Sequence, residues 1–478
     1  DGWWSGGTLQ RRDVPGQRAR GQRGRSALAE TGGRLLLRDG LRCLSPRHLT
    51  PSGGEEGANA KPILRRKRAA VTETARIEPR RNLRVIAIIS FLAGLSASMM
   101  FAVWQPFVLS LGAPMSTLGL LESLGGRRGV VAALVQPVGG WLSDRLGRKP
   151  LIGLGGLSGF LAVSCYVLAA ITGDWRWLLP GVILLGAGLA SRPAESSLVA
   201  ESAQASRRGM AYSLLMASWI APGVFAPALG GFVADRWDFT LVFLLRLGLE
   251  GLRLLLILWL LRETLSQIDR AISLGELKGV LVRMIMPPRE LRGFYWAMAV
   301  DIFVWGLGAA LLFGMLSKTY GFTTFQLGMM SGLLSAVWTL SQLPIGRLID
   351  RYGSKPFLVL SEAIGVLVVG GWFLSRSFAA FALLHACFGL IAATWVPAQQ
   401  VLLANSVSEE QRGEAMGRLS AFRGLLGFPA PYLGGLLYDR FGFQAPILAN
   451  LVGVAVALVV ILVVVKEPPP EGAASHIG

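Results

Sequence analysis

Long apolar runs without a charged residue alternate with short polar segments along most of the chain. Uncharged runs of at least 20 residues lie at 85–121, 150–173, 209–234, 319–346, 377–408 and 441–465. A helix that crosses a bilayer needs about 20 mostly apolar residues. Together with runs that one to three charges interrupt, the pattern predicts twelve membrane-spanning helices, at 85–110, 116–139, 150–171, 177–199, 209–234, 239–261, 293–316, 324–346, 356–375, 379–403, 413–436 and 444–465.

The composition also indicates a membrane protein. The chain is 52% hydrophobic and 16% charged, with a mean hydropathy of +0.51, whereas soluble domains carry about 25% charged residues. This excludes a soluble multidomain enzyme and a disordered protein, and it predicts an all-α membrane fold. Three cysteines and three histidines are widely scattered, so we expect no disulfide framework, no metal site and no cofactor.

Much of the positive charge lies in the N-terminal segment. Residues 1–81 hold 18 Lys and Arg against 8 Asp and Glu, which is +10 of the formal +18. This stretch is rich in Arg, Gly and Ser without periodicity, which predicts a disordered basic tail. No Met precedes Met99, so we expect most of 1–70 to lie outside the mature protein. The other charges lie in short loops, which is typical of membrane orientation, and no nucleic-acid partner is expected.

Loop charges predict the orientation. With the N-terminus inside, the inner loops hold fifteen Lys and Arg and the outer loops five, so both termini are expected in the cytoplasm. The longest polar connection divides the body into halves of similar length. The predicted organisation is a basic tail, a first six-helix bundle, a cytoplasmic linker, a second six-helix bundle and a C-terminal tail, at 1–81, 82–262, 263–291, 292–466 and 467–478.

One short motif occurs four times in the body. Gly-x-x-x-Asp-Arg starts at Gly140, Gly231, Gly346 and Gly435, so the first and third copies are 206 residues apart and the second and fourth 204. Other strings share the offset of 204, and the two bundles are therefore expected to be repeats in pseudo-two-fold relation. Within each bundle the copies are 91 and 89 residues apart, a pattern typical of nested three-helix repeats in a secondary transporter.

The first and third copies extend into a longer signature. Its residues are Gly140, Asp144, Arg145, Gly147, Arg148 and Lys149, and in the second half Gly346, Asp350, Arg351, Gly353 and Lys355. Over about 82–466 the chain resembles the major facilitator superfamily, whose loop 2–3 signature the first copy matches closely. The second copy is weaker, because Ser354 stands where the first has Arg148.

The signature and the resemblance together imply a gate at the cytoplasmic side. Asp144 can face the positive N-terminus of another helix, and the resemblance implies the eleventh span, near Arg412. By the repeat, Asp350 would face the start of the fifth span. Arg145, Arg148 and Lys149 can pair with carboxylates such as Glu195 or Glu201. The alternative is that these charges only enforce orientation.

A second motif lies in the fifth and eleventh spans. Pro227, Gly230 and Gly231 resemble a signature of proton-coupled drug antiporters, and the eleventh span repeats them as Pro431, Gly434 and Gly435. Because small residues let helices approach closely, a motif in both halves is equally consistent with packing of the repeat.

Charged residues inside the predicted spans are costly in lipid and are therefore candidate functional groups. Glu122 and Asp301 are candidate proton sites. Arg127 and Arg423 are candidates for binding an anionic group or for holding such a carboxylate. Structural pairing between helices remains the alternative for these residues.

Four further charges have a structural interpretation. Arg246, Glu250 and Arg253 share one face of the sixth span, so Glu250 can satisfy both arginines. Glu362 in the ninth span is expected near the inner surface.

The sequence predicts a secondary active transporter that moves a small organic solute by alternating access, and proton-coupled efflux is the first interpretation. Proton-coupled uptake of an organic anion or sugar is the alternative, and a transporter-like membrane receptor is the alternative of a different class. No HExxH, GxSxG or GxxxxGK[ST] string occurs, which argues against an enzyme or an ATP-driven pump. The expected partners are a small-molecule substrate, protons and the lipid bilayer, for a monomer in the inner (plasma) membrane.

Overall fold

The computed structural model describes residues 60–125, 129–203, 208–265, 279, 286–408 and 411–467. Over these residues the regular secondary structure is helical, without strands. Contacts divide the chain into Asp1–Leu64 and Arg65–Gly478, and the second unit holds every site discussed below.

The helices follow the apolar runs closely. Those of the first half are α1 Ala60–Ser110, α2 Met115–Leu124, α3 Val130–Leu146, α4 Arg148–Thr172, α5 Leu178–Gly188, α6 Arg192–Ser202, α7 Arg208–Ile220, α8 Ala226–Arg236 and α9 Phe239–Leu260. Those of the second half are α10 Arg292–Leu307, α11 Leu312–Tyr320, α12 Thr324–Tyr352, α13 Lys355–Leu374, α14 Phe378–Asn405, α15 Arg412–Gly427, α16 Pro429–Phe441 and α17 Gln444–Val464.

The first helix begins earlier than expected. Because α1 starts at Ala60, residues 60–81 are helical where the sequence pattern predicted disorder. This stretch is rich in Ala, Arg and Glu, which are good helix formers, and it leads directly into an apolar run. Residues 1–59, the rest of the predicted tail, lie outside the described residues, as does most of the predicted linker.

Seven helical segments are long and apolar enough to cross a membrane, within the described ranges. They are Arg81–Ser110, Arg148–Thr172, Trp175–Ser202, Met210–Arg236, Lys355–Leu374, Phe378–Asn405 and Gln444–Val464. An eighth results if Arg289–Leu307 and Ala309–Tyr320, which are bent by 41°, form one span. The chain is therefore an all-helical, multi-pass membrane protein, and the count of twelve stays a prediction.

Two symmetry-related helix pairs bring the halves together. α8 packs against α12, and α16 packs against α2. We call the end of the helices that carries Asp235 and Asp439 the latch end, and the end that carries Asp144 and Asp350 the signature end. α12 connects the two ends, because its first residue contacts Asp235 and Asp350 follows about 39 Å further along the helix.

Candidate functional site

At the latch end, two carboxylates reach from one half of the chain to the other. Asp235, at the end of α8, accepts hydrogen bonds from the first two backbone N–H groups of α12, at 3.0 and 2.8 Å. Asp439, at the end of α16, accepts hydrogen bonds from the first two N–H groups of α2, also at 3.0 and 2.8 Å. The first N–H groups of a helix have no partner within it and carry partial positive charge. Each carboxylate therefore stabilises a helix start in the other half.

The sequences of these helix starts leave the N–H groups open to the aspartates. Pro114 precedes α2 and caps it with no side-chain hydrogen bond. Thr323 precedes α12, and its hydroxyl accepts a hydrogen bond from the third N–H group of that helix, so the first two remain for Asp235. Asp235 and Asp439 end the second and fourth copies of Gly-x-x-x-Asp-Arg. These copies are evident in the sequence, but no gating role was predicted for their carboxylates.

The glycine pairs beside these aspartates allow close helix contact. The first glycine of each pair faces its own half and the second faces the other half. A Cβ atom added to any of them would lie 2.0–2.4 Å from a backbone carbonyl oxygen. The oxygens belong to Met99 for Gly230, Thr324 for Gly231, Leu307 for Gly434 and Met115 for Gly435. Such distances are shorter than any normal contact, so the geometry supports the packing interpretation of this motif.

The two prolines of the motif contact glycines of the opposite half. A Cβ atom on Gly328 would lie 2.4 Å from the Pro227 oxygen, and one on Gly119 would lie 2.2 Å from the Pro431 oxygen. The proline and two glycines of the motif, together with one glycine of the opposite half, thus form the same arrangement where α8 crosses α12 and where α16 crosses α2.

Replacing Gly231 with alanine is expected to force α8 away from α12. The new methyl group would overlap the Thr324 carbonyl, and overpacking of this kind costs about 1–3 kcal/mol. We therefore expect a lower melting temperature of the purified protein and a slower initial rate of transport. Gly248 is the matched control, because an added Cβ meets no atom within 4 Å there and alanine favours a helix. An equal loss in both variants would contradict the close-packing role.

At the signature end, a carboxylate caps a helix of its own half. Glu263 accepts hydrogen bonds from the backbone N–H groups of Arg148 and Lys149 at 3.1 and 3.0 Å, and the Lys149 ammonium donates to the Leu258 oxygen at 2.9 Å. Gly147, just before α4, has a φ of 97°, which glycine adopts without steric cost. The turn at Gly147 therefore places the first two N–H groups of α4 within hydrogen-bond distance of Glu263.

The second half repeats this arrangement. Glu467 accepts hydrogen bonds from the N–H groups of Ser354 and Lys355 at 2.7 and 2.6 Å, the Lys355 ammonium donates to the Leu462 oxygen at 2.9 Å, and Gly353 has a φ of 87°. Glu263 and Glu467 were not predicted as functional residues, although they are 204 residues apart. That offset, already known from the other repeats, is the signal that could have found them.

Burial raises the pKa of Glu263, but the backbone N–H groups of Leu265, Arg148, Lys149 and Thr264 outweigh it, and the pKa lies below its ordinary value. A carboxyl group of this kind contributes stability above its unfolded pKa and loses it as the pH falls through the folded pKa. Glu263→Gln should therefore lower the melting temperature at neutral pH, and the difference should shrink below pH 4.5, the ordinary value. Exposed Glu290 is the control position. A difference that is constant with pH would contradict the cap.

The two gate aspartates of the signature do not engage the other half in this structure. The exposed Asp144 accepts from Arg148 at 2.6 Å, and Arg148 also pairs with Glu201 at 3.1 Å. Asp350 is exposed, and no hydrogen bond or ion pair is found for it within the described ranges. The expected contacts of Asp144 with the start of α15 and of Asp350 with the start of α7 are thus not found among the described residues, although Arg148 and Glu201 meet as expected.

The remaining signature residues have local contacts. The Arg145 guanidinium lies over the Trp141 ring at 4.2 Å, and that of Arg351 over Tyr352 at 5.3 Å. A Cβ atom on Gly140 would approach Pro193 at 3.6 Å, whereas one on Gly346 would meet nothing within 4 Å. Gly140 is therefore the tighter of the two positions.

Inside the second half, the structure brings two of the candidate charges together. The Arg423 guanidinium of α15 donates to the Asp301 carboxylate of α10 at 3.0 Å and to the Gln399 oxygen of α14 at 2.9 Å. The Asp301 side chain is only 4% exposed and that of Arg423 is 20% exposed. Glu362 is fully buried beside this pair, and its place near the inner surface stays a prediction.

Glu122 belongs to a different cluster. It accepts a hydrogen bond from the Gln105 amide at 3.1 Å, and Gln105 also donates to the Ala310 oxygen at 2.6 Å and accepts from the Gly314 N–H at 2.7 Å. Gln105 therefore links the halves near α11, and no contact joins Glu122 to Asp301 among the described residues. Arg127 lies outside the described residues.

The charges on α9 are paired as expected, but not all through one carboxylate. Glu250 binds Arg253 at 3.1 Å, and Arg253 also pairs with Glu195 at 3.6 Å. Arg246 donates to the Ser96 hydroxyl at 3.1 Å, which itself donates to Glu250 at 2.8 Å. Glu250 thus contacts Arg253 directly and is connected to Arg246 through the Ser96 hydroxyl of α1.

These features define a class of protein: a helical membrane transporter built from two similar halves, with paired contacts between them at one end. The Major Facilitator Superfamily profile matches residues 86–340 and 294–477, and the chain belongs to this family. It is a multi-pass membrane transporter, not an enzyme.

Individual relatives are more distant. The multidrug resistance protein MdtG of Klebsiella pneumoniae (strain 342) is 23% identical over 78% of this chain and 90% of its own length. The multi-drug resistance efflux pump PmrA of Streptococcus pneumoniae serotype 4 is 24% identical over 78% and 93%. Among solved structures, the human organic anion transporter MFSD10 (TETRAN) has a TM-score of 0.59 and 18% identity over 80% and 99%. That likeness concerns the fold.

Proposed function

We propose that the protein exports a small organic solute in exchange for protons, by alternating access. It would do so through twelve spans in the inner (plasma) membrane, with both termini in the cytoplasm. In this topology the signature end faces the cytoplasm and the latch end faces outward. The similarity to proteins named as multidrug efflux pumps favours efflux over uptake.

One observation carries the alternating-access proposal. The same motif carries an aspartate at its fifth position in four places. The two aspartates at the latch end bind the other half, while the two at the signature end make no such contact among the described residues. A carrier must open one end while the other stays closed. Gates of the same chemistry at both ends, with one pair engaged, are what such a cycle requires.

The buried Asp301–Arg423 pair supports proton coupling. A carboxylate inside the membrane is costly unless a counter-charge or a proton neutralises it, so proton uptake and the pairing with Arg423 can alternate. Uptake of an organic anion is the second candidate function, because Arg423 is the exposed member of the pair and its guanidinium suits an anion.

Inside-out vesicles with an acid interior, read by a pH-sensitive dye, test the proposal. Lipophilic cations, sugars and organic anions are added one at a time, and vesicles without the protein are the control. We expect one class to dissipate the gradient, as solute entering the vesicle drives protons out. If none does, and right-side-out vesicles accumulate an organic anion when the outside is acid, uptake replaces efflux.

A further inference from the structure

A carboxyl group without an evident role lies beside the Asp301–Arg423 pair. Glu362 of α13 is 0% exposed, and neither of its oxygens accepts a hydrogen bond of normal geometry. Its polar neighbours are the Asp301 carboxyl group, the Trp305 indole and the Arg423 guanidinium. Glu362 is thus a buried acid that is placed next to an ion pair but is not bound by it.

The charges of the described residues indicate the protonation state of this cluster. Arg423 supplies one positive charge, and its guanidinium binds Asp301 at 3.0 Å. If Glu362 were also ionised, a second negative charge would lie buried next to the first. Taking an unpaired charge out of water is very unfavourable, and two adjacent carboxyl groups do not both ionise readily. In this arrangement Glu362 therefore holds a proton.

Within the part of the chain that the structure describes, the helices that pack most closely against α13 bring no other charged group to Glu362. α17 contains no charged residue, and the titratable residues of α14 are His385 and Cys387. His385 lies beside the ring of Trp372, ten residues after Glu362, which is about 15 Å along the helix. The proton on Glu362 thus responds to Asp301 and Arg423.

Resting on the proposed proton-coupled transport, we propose that Glu362 carries the exchanged proton and that Asp301 and Glu362 take turns as the partner of Arg423. With Glu362 protonated, Arg423 binds Asp301 as observed. When the O–H bond of Glu362 breaks and the proton leaves to water, its carboxylate becomes a second acceptor for the guanidinium. Because Asp301, Glu362 and Arg423 lie on α10, α13 and α15, the exchange links three helices to the loss of one proton.

The test compares Glu362→Gln with the wild-type protein in two measurements. Gln keeps the size of the side chain and cannot release a proton, so we expect loss of gradient-driven transport while exchange of labelled for unlabelled substrate continues. In infrared difference spectra between acid and alkaline pH, the band of a protonated carboxyl group should lose the Glu362 contribution. Glu414→Gln, at an exposed position of α15, is the matched control, and Glu362→Leu replaces the Gln variant if that one is unstable.

The outcomes separate this inference from the proposed function. If the wild-type protein responds to the gradient and Glu362→Gln does so equally, with the infrared band unchanged, the inference is overturned and Asp301 alone carries the proton. If the wild-type protein ignores the gradient, proton-coupled efflux is wrong. The infrared band alone then shows whether Glu362 binds and releases a proton, and loss of the band in Glu362→Gln still supports such a proton.

Discussion

Replacing Asp301 with asparagine is expected to abolish gradient-driven transport and to lower the stability of the protein strongly. The Asp301 carboxylate binds Arg423 at 3.0 Å and is 4% exposed. As long as Glu362 keeps its proton, removing Asp301 leaves the Arg423 charge uncompensated, and breaking a buried ion pair in this way costs about 3–5 kcal/mol. Melting of the purified protein and transport into vesicles measure the two effects separately.

The double variant Asp301→Asn with Arg423→Gln separates pairing from proton transfer. It removes both charges, so stability should recover because no unpaired charge is left. Proton-driven transport should not recover, because the Arg423 guanidinium, which Asp301 and Glu362 bind alternately in the proposal, is gone. The pair of Glu414 and Arg418 on α15, at 2.6 Å, is the control, because its side chains are 46% and 21% exposed and its loss should cost less than the loss of the more buried pair. Wild-type transport by Asp301→Asn would exclude Asp301 from the proton path.

The membrane fold was largely predictable from the sequence, because lipid imposes a simple requirement on each segment. Backbone groups must be satisfied internally, so a run of about 20 apolar residues becomes a helix. The breaks within these helices were less predictable. α8 follows a short 3-10 turn that contains Pro222, where proline removes a backbone donor, but the same residue type lies inside α12 as Pro344 without ending that helix.

The packing motif could be predicted because the repeat duplicates it at a fixed offset. Gly231 and Gly435 recur 204 residues apart, and each faces a carbonyl of the other half. The capping carboxylates were harder to find, because a cap supplied by a different helix leaves no local pattern. Only their shared offset connects Glu263 with Glu467.

The buried charge cluster could be predicted only in part. Asp301 and Arg423 were recognisable as intramembrane charges, which are costly and therefore notable. That Glu362 joins them depends on which way each helix face is turned and on how deep each helix sits. Neither follows from one sequence, since α13 is apolar on nearly all sides.

Removing both latch carboxylates, with Asp235→Asn and Asp439→Asn, is expected to open the latch end. Each aspartate accepts two N–H groups of the opposite half, and Asn retains a single acceptor oxygen without charge. A hydrogen bond to a charged group is worth about 1.5–3 kcal/mol, and exposure places these at the lower end. The loss of one such hydrogen bond at each of the two aspartates removes about 3 kcal/mol, which lowers the ratio of closed to open molecules about 100-fold. Spin labels at Arg176 and Arg376, at the latch ends of α4 and α13, should report longer distances.

The control for this experiment is an aspartate in the same region that binds only its own helix. Asp238 accepts from the Phe239 N–H at 2.7 Å and from the Thr240 hydroxyl, and the Thr240 hydroxyl is the main cause that holds its pKa below the ordinary value. Asp238→Asn should therefore destabilise α9 locally and leave the distance between the labels unchanged. If it lengthens that distance as much as the latch variant does, the opening comes from general loss of charge at this end. A distance that stays the same in the latch variant would instead show that this end remains closed without the carboxylates, and the glycine contacts are then the feature common to both crossings that holds it.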